Sequence, residues 1–323
     1  MTTEIGIDVA KARALLERGL VVAIPTETVY GLAANALDTE AVLQIFEIKR
    51  RPRFDPLIVH GASPDQLTDY VRTFPEWAVI LAERFWPGPL TLVLPKRDSI
   101  PDIVTSGLDA VALRVPNHPM TLDLLSQLDF PIAAPSANPF GYVSPTSAEH
   151  VLDQLGGEIP YILDGGECIV GLESTIVTER DGEIVILRLG GVAVEDIESL
   201  LGPVRLQVQA SSNPIAPGGL ESHYAPRTPL KLGRIDLERF DAERVGILSF
   251  QRRFKEVPIG HQVVLSPEGS LHEAAKNLFG AIRYLDSLGM QLILAEPLPE
   301  LGLGRAINDR LRRASAKGMN WRG

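Results

Sequence analysis

Five apolar residues, Leu20 to Ile24, run straight into Pro25-Thr26-Glu27-Thr28-Val29-Tyr30-Gly31. About twenty residues later Lys49-Arg50-Arg51-Pro52-Arg53 leads into Pro56-Leu57-Ile58-Val59-His60. The first segment reads as a strand that turns at a proline into small hydroxyl residues. The second packs four cations into five residues, after a helix and before the next apolar strand. Hydroxyls, cations and a histidine therefore collect at the ends of neighbouring strands, where open α/β sheets bind ligands. Such cations call for a polyanion, and a nucleotide polyphosphate is the commonest one for an enzyme of this size.

The rest of the chain fits that frame. Residues 9–18 read as a helix with Val9, Ala12, Leu15 and Leu16 on one stripe and Gly19 as its stop. Asp38 or Thr39 caps a second helix, faced by Val42, Ile45 and Phe46, whose last turn delivers Lys49. Ser63-Pro64 and Phe74-Pro75 open two more, with proline at the first helical position. Leu90 to Leu94 and Val111 to Val115 are continuous apolar runs, as strands covered on both faces are. Thr146 to Glu149 reads as a capping box, and Asp181-Gly182 as the turn of a hairpin. The expectation is an α/β fold with a twisted mixed sheet.

From about residue 209 to 229 both periodicities fail, among prolines, glycines and serines. Strands over Val245–Phe250, Val263–Ser266 and Gln291–Ala295 and an amphipathic helix from Ser270 then predict a second, smaller α/β domain. The expected division is 1–208, a linker or lid over 209–229, and 230–323. A chain of 323 residues, 45% hydrophobic and 22% charged, is long enough for two globular domains.

Charge separates the two parts. Residues 1–208 hold 15 Lys/Arg against 29 Asp/Glu, a net of −14, whereas 209–323 hold 16 against 12, a net of +4. An acidic first part argues against broad nucleic-acid binding, which needs many phosphate contacts, and makes the knot at 49–53 stand out. No apolar run approaches the roughly 18 residues needed to cross a bilayer, and the N-terminus lacks a signal-peptide pattern. A single cysteine, Cys168, excludes an internal disulfide. These features predict a cytoplasmic protein with Cys168 buried and inert.

Single residues carry two readings each. The knot is either a solvated helix end or a phosphate site, with Pro52 and Pro56 holding it in a constrained turn. Arg114 is the only Lys or Arg between Arg97 and Arg180 and lies inside an apolar strand. A charge there needs a partner: a nearby acid, or a small carboxylate held by a bidentate clamp. His60 ends its strand as a core residue or a substrate contact. Ser136 and Asn138, between Pro135 and Pro139, are turn residues or hydrogen-bond partners for phosphate and ribose. There is no Gly-x4-Gly-Lys-Ser/Thr, and Gly302-Leu303-Gly304 lacks the rest of a dinucleotide fingerprint.

In their order and spacing these segments resemble the YrdC-like domain of threonylcarbamoyl-AMP synthases, in the long two-domain form. The resemblance continues through Ser136-Ala137-Asn138, Leu172-Glu173-Ser174-Thr175, Leu187-Arg188-Leu189-Gly190, Ala216-Pro217-Gly218 and His223-Tyr224-Ala225-Pro226. It thus spans essentially the whole chain and implies a Rossmann-like shape for the second domain. It implies a nucleotidyltransferase that makes L-threonylcarbamoyl-AMP and pyrophosphate from L-threonine, bicarbonate or CO2, and ATP. The product feeds a tRNA threonylcarbamoyl-transfer machinery that modifies an adenosine beside the anticodon.

The resemblance also implies roles for particular positions. Lys49 and Arg51 meet the phosphates and carry the catalytic charge. Ser136, Asn138, Ser144, Arg188 and Tyr224 contact the nucleotide, while Thr28, His60, Arg114 and Ser174, with the backbone of Ala134, hold threonine. Asp55 stands where the family usually has asparagine, and is expected beside ATP or its magnesium. Mg2+ arrives with ATP rather than at a protein metal site; no membrane and no stable nucleic-acid complex is expected. Two other readings remain open: an RNA-binding or ribosome-associated module, and a carbamoyltransferase using carbamoyl phosphate.

Overall fold

The computed structural model describes residues 2–207 and 223–316. Two sheets organise it. The larger has eleven strands: β1 (Glu4–Gly6), β2 (Val22–Ile24), β3 (Gly31–Asn35), β4 (Ile58–His60), β5 (Leu90–Pro95), β6 (Ala110–Arg114), β7 (Ile132–Ala133), β8 (Tyr161–Leu163), β9 (Thr175–Arg180), β10 (Glu183–Arg188) and β11 (Arg205–Leu206). Their spatial order is β1-β8-β2-β3-β7-β4-β6-β5-β9-β10-β11. Pairing is mixed: β4 runs parallel to β6 but antiparallel to β7, and β5 is parallel to β9 but antiparallel to β6. Helices α1 (Val9–Glu17), α2 (Thr39–Lys49), α3 (Pro64–Thr68), α4 (Glu76–Phe85), α5 (Asp102–Thr105), α6 (Pro119–Ser126), α7 (Ala148–Leu155) and α8 (Val194–Leu201) belong to the same part of the chain.

The second sheet is β12 (Leu230–Leu232), β13 (Val245–Ser249), β14 (Gln262–Val264) and β15 (Leu292–Ala295), parallel throughout in the order β12-β15-β13-β14. It carries two long helices, α9 (Leu271–Ser287) and α10 (Leu303–Ser315). The parts are called here the N-terminal and C-terminal units. They share one hydrophobic core cluster, in which Leu278 and Phe279 of α9 join the same network as Val143 and Leu172. Helix α9 lies tightly on the first unit: a Cβ on Gly171 would come 2.5 Å from the Cα of Lys276.

Local signals set most boundaries. Asp38 caps α2 by accepting from the amides of Glu40 and Ala41, and Ser270 caps α9 by accepting from Glu273 N. Asp181 and Gly182 both take positive φ, 53° and 77°, which is the twist a two-residue hairpin turn needs between β9 and β10. Three details differ from the expectation. The capping residue of α7 is Ser147, accepting from His150 N, while the Thr146 hydroxyl turns to His150 Nδ1. The buried face Ala148, Val151 and Leu155 fixes the start of that helix, so the cap falls one residue later. Pro75 is the cap of α4, not its first helical residue. The linker expected over 209–229 lies outside the described residues up to 222, and its remainder, from His223, is folded against both units.

Candidate active site

Strands β4 and β6 end side by side with His60 opposite Arg114 in register. The turn from β2 into β3 brings Thr28 above them, and the end of β10 brings Arg188. These residues, with Arg51, Ser136 and Tyr224, line a small, partly open cavity of about 50 Å³. The strand ends thus meet as the sequence pattern required.

Arg114 is buried and anchored on one side only. Its Nη2 lies 2.8 Å from Glu27 Oε2 and donates to Thr28 Oγ1 at 2.9 Å, and its Nε donates to the Gly88 carbonyl at 3.2 Å. Its Nη1 makes no hydrogen bond among the described residues, and the side chain lines the cavity. The structural reading of this arginine therefore holds: an acid fixes it, and Nη1 is the nitrogen left without a hydrogen bond among the described residues. His60 beside it is neutral. Burial, then the Arg114 charge, lowers its pKa from 6.5 to about 3. Its Nδ1 sits 3.1 Å from the Ile58 carbonyl.

The basic knot splits by direction. Arg50 closes α2 in the left-handed region, φ 52°, and points outward. That reversal sends Lys49 and Arg51 inward. Lys49 Nζ donates to the carbonyls of Ser136 and Asn138, at 2.5 Å each, and braces that turn from behind the cavity wall. Burial and the nearby Arg51 charge push its pKa well down. Arg51 faces the cavity, held by the carbonyls of Asp55 and Pro56 and by the Asp55 carboxylate at 2.9 Å. Asp55 is fully buried and stands as the counter-charge of Arg51.

The remaining candidates are held by separate sets of hydrogen bonds. Arg188 donates to the Ser174 hydroxyl and carbonyl at 3.0 and 3.1 Å, and Ser174 Oγ meets Thr91 Oγ1 at 2.7 Å. Ser144 Oγ donates to Glu173 Oε1 at 2.6 Å. Asn138 Nδ2 donates to the carbonyls of Pro139 and Tyr142, whereas its Oδ1 is buried without a partner among the described residues. The backbone of Ala134 is held by the Ile58 carbonyl at the cavity edge. Ser144, Ser174, Asn138, Lys49 and Asp55 thus stand just behind the wall that the other candidates form.

Three participants were not singled out from the sequence: Glu27, Glu173 and, from the C-terminal unit, Arg310. Tyr224, expected as a linker contact, is almost fully buried and takes φ 61°, a left-handed conformation uncommon for such a residue. Its ring stacks on Phe279 at 5.5 Å and 26°, and the His223 ring packs edge-on at 4.1 Å. No group of three or more His, Cys, Asp or Glu side chains among the described residues is placed to hold a metal ion. No helix among them is long and apolar enough to cross a membrane.

Comparison with known proteins decides the family. The Sua5–YciO–YrdC family model, described under telomere recombination, matches residues 14–190, and a model described as the threonylcarbamoyl-AMP synthase C-terminal domain matches residues 192–316. The chain belongs to the threonylcarbamoyl-AMP synthase family. A threonylcarbamoyl-AMP synthase of Pyrococcus abyssi is 44% identical over 94% of this chain and 93% of its own length. One of Bacillus subtilis is 42% identical over 95% and 92%. The crystal structure of P. abyssi Sua5 complexed with L-threonine superposes with a TM-score of 0.88 at 40% identity, covering 98% of each chain. The chain is accordingly an enzyme of the nucleotidyl-transferring kind. The second family match begins at residue 192, before α8 and β11, which in this structure pack with the larger sheet.

Proposed function

We propose that this enzyme joins L-threonine, bicarbonate or CO2, and ATP into L-threonylcarbamoyl-AMP with release of pyrophosphate. The observation that carries the reading is the half-anchored Arg114, which lines the same cavity as Arg51 and Arg188 and whose Nη1 makes no hydrogen bond among the described residues. One subsite takes a carboxylate and the adjoining one takes phosphates. Arg114, Thr28, His60 and Ser174 hold threonine together with the Ala134 backbone; neutral His60 adds no competing charge beside the clamp.

The threonine nitrogen attacks the carbon of CO2, forming an N–C bond and losing a proton. A carbamate oxygen then attacks the α-phosphorus as the bond to the pyrophosphate oxygen breaks. No protein nucleophile is required; positioning and charge stabilisation are the protein's share. Arg51, backed by Lys49, and Arg188 meet the triphosphate, and Mg2+ enters on its oxygens. Asn138 Oδ1, unpartnered and buried, suits a ribose hydroxyl. Ser136, Ser144 and Tyr224 complete the nucleotide side. The product passes to the tRNA-modifying machinery of the cytoplasm.

Space requires a moving part. A cavity of about 50 Å³ admits only a few waters, whereas small-molecule sites run to roughly 300–1,000 Å³. We propose that residues 1–208 and 230–323 act as separate domains and that 209–229 is a lid, with His223 and Tyr224 leaving the cavity to admit ATP.

The test is pyrophosphate release with ATP, L-threonine and bicarbonate, each omitted in turn, and the adenylate sought by mass spectrometry. Dependence on all three with threonylcarbamoyl-AMP present is expected. Release indifferent to threonine overturns the reading.

A further inference from the structure

Helix α10 carries a charge on its apolar face. Leu303, Ile307, Leu311 and Ala314 form the buried stripe, and Arg310 falls within it, fully buried. A buried guanidinium is tolerated only where most of its donors are met. Here Glu173 and Leu189 meet two of them across the boundary between the two units, and Asp309, the preceding residue of α10, meets a third. Nε donates to Glu173 Oε2 at 2.9 Å, Nη2 to the Leu189 carbonyl at 2.8 Å, and Nη1 to Asp309 Oδ2 at 2.7 Å. Its Cζ lies over the Tyr224 ring, 5.0 Å from the centroid.

The contacts outside α10 lead into the site. Glu173 lines the cavity, and its second oxygen accepts from Ser144. Leu189 continues the strand that delivers Arg188. Tyr224 closes the cavity with Arg310 and Phe279, both from the C-terminal unit, packed on it. Burial alone pushes the Glu173 carboxyl up, but the charges of Arg310 and Arg188 outweigh it and hold the group below its ordinary value.

We infer that Arg310 is a positioning residue for the nucleotide half of the site: from the C-terminal unit it fixes Glu173 and, through it, Ser144, and it seats Tyr224 over the cavity. This rests on the reaction proposed above. It gives the C-terminal unit a defined part in nucleotide capture: docking of α10 holds Glu173 and Tyr224 in the cavity wall.

The test is a double-mutant cycle in the full chain with Arg310→Gln, Glu173→Gln and the pair, assayed by pyrophosphate release. Each single change is expected to raise KM for ATP by about tenfold, the pair by no more than the worse single change, with KM for L-threonine within about twofold. Arg310→Lys, which keeps the charge but loses the fork, falls between wild type and Arg310→Gln. It also replaces Arg310→Gln in the cycle should that variant melt below the assay temperature. The proposal is overturned if the two single effects multiply in the pair. It is equally overturned if the variants only melt earlier with both KM values unchanged, or if both KM values rise together. A wild-type protein that shows no threonine-dependent release sinks the proposed reaction instead. ATP binding by calorimetry on the same proteins then reads the coupling: a non-additive loss supports the positioning role, and an additive one refutes it.

Discussion

Replacing Glu27 by glutamine tests the threonine clamp through stability. Glu27 is 2% exposed and Arg114 4%, and they meet at 2.8 Å. Removing one partner of a buried pair leaves the other charge uncompensated, at about 3–5 kcal/mol. Glu27→Gln keeps the shape, so the loss is electrostatic. For a unit of this size it lowers Tm by roughly 6–20 °C. A ligand carboxylate on Nη1 returns part of what the glutamate supplied, so L-threonine stabilises the variant more than wild type. At about 100 times Kd, ligand binding alone is worth about 2.7 kcal/mol, and the excess shift in the variant measures the replaced charge. The assay is thermal unfolding of both proteins with L-threonine and with L-threoninamide, which keeps the side chain but lacks the carboxylate. Equal shifts from the two ligands, or a larger threonine shift in wild type than in Glu27→Gln, refute the clamp.

Two further outcomes follow from the same geometry. A Cβ at Gly190 would stand 2.3 Å from the Glu173 carbonyl oxygen, a backbone atom that cannot swing aside, so Gly190→Ala displaces residues 173–175. Pyrophosphate release is expected to fall by about tenfold or more with little change in far-ultraviolet circular dichroism; wild-type turnover in the variant would show that this strand end does not set the site. His60 titrates near 6.5 unfolded and about 3 folded, so the unfolded chain takes up its proton first as pH falls. The stability this histidine contributes is complete above pH 6.5 and is lost progressively toward pH 3, with about 3 kcal/mol gone by pH 4. Urea unfolding at pH 7 and pH 4 should therefore show a smaller acid loss in His60→Gln than in wild type, and equal losses would mean that the histidine is not held neutral.

What could be read in the sequence was whatever local chemistry decides. The caps at Asp38 and Ser270, the Asp181-Gly182 turn and the apolar runs of β5 and β6 each depend on neighbours within a few residues, and each forms. Strands β1, β8 and β11, of two or three residues, have no comparable signal, because pairing with distant segments makes them strands. The direction of the basic knot was hidden for a related reason. It turns on a left-handed Arg50, which sequence propensity does not announce.

The missed site residues argue the point further. The reasoning that singled out Arg114, a charge inside an apolar run, applies equally to Arg310, three and four residues beyond Ile307 and Ala306 on the buried face of α10. A helix hides such a residue among its other arginines, since Arg305 and Arg312 flank it and only the 3.6-residue period separates it from them. In a strand the neighbours on both sides are apolar and the charge stands out at once. Glu173 sits within a recognisable segment, yet its partner lies 137 residues away on another unit. A buried charge in a sequence states that a partner exists, and its neighbours do not say which one. In this protein two of the buried arginines, Arg114 and Arg310, find their acid beside the same cavity. That convergence ties the C-terminal unit to the chemistry of the first.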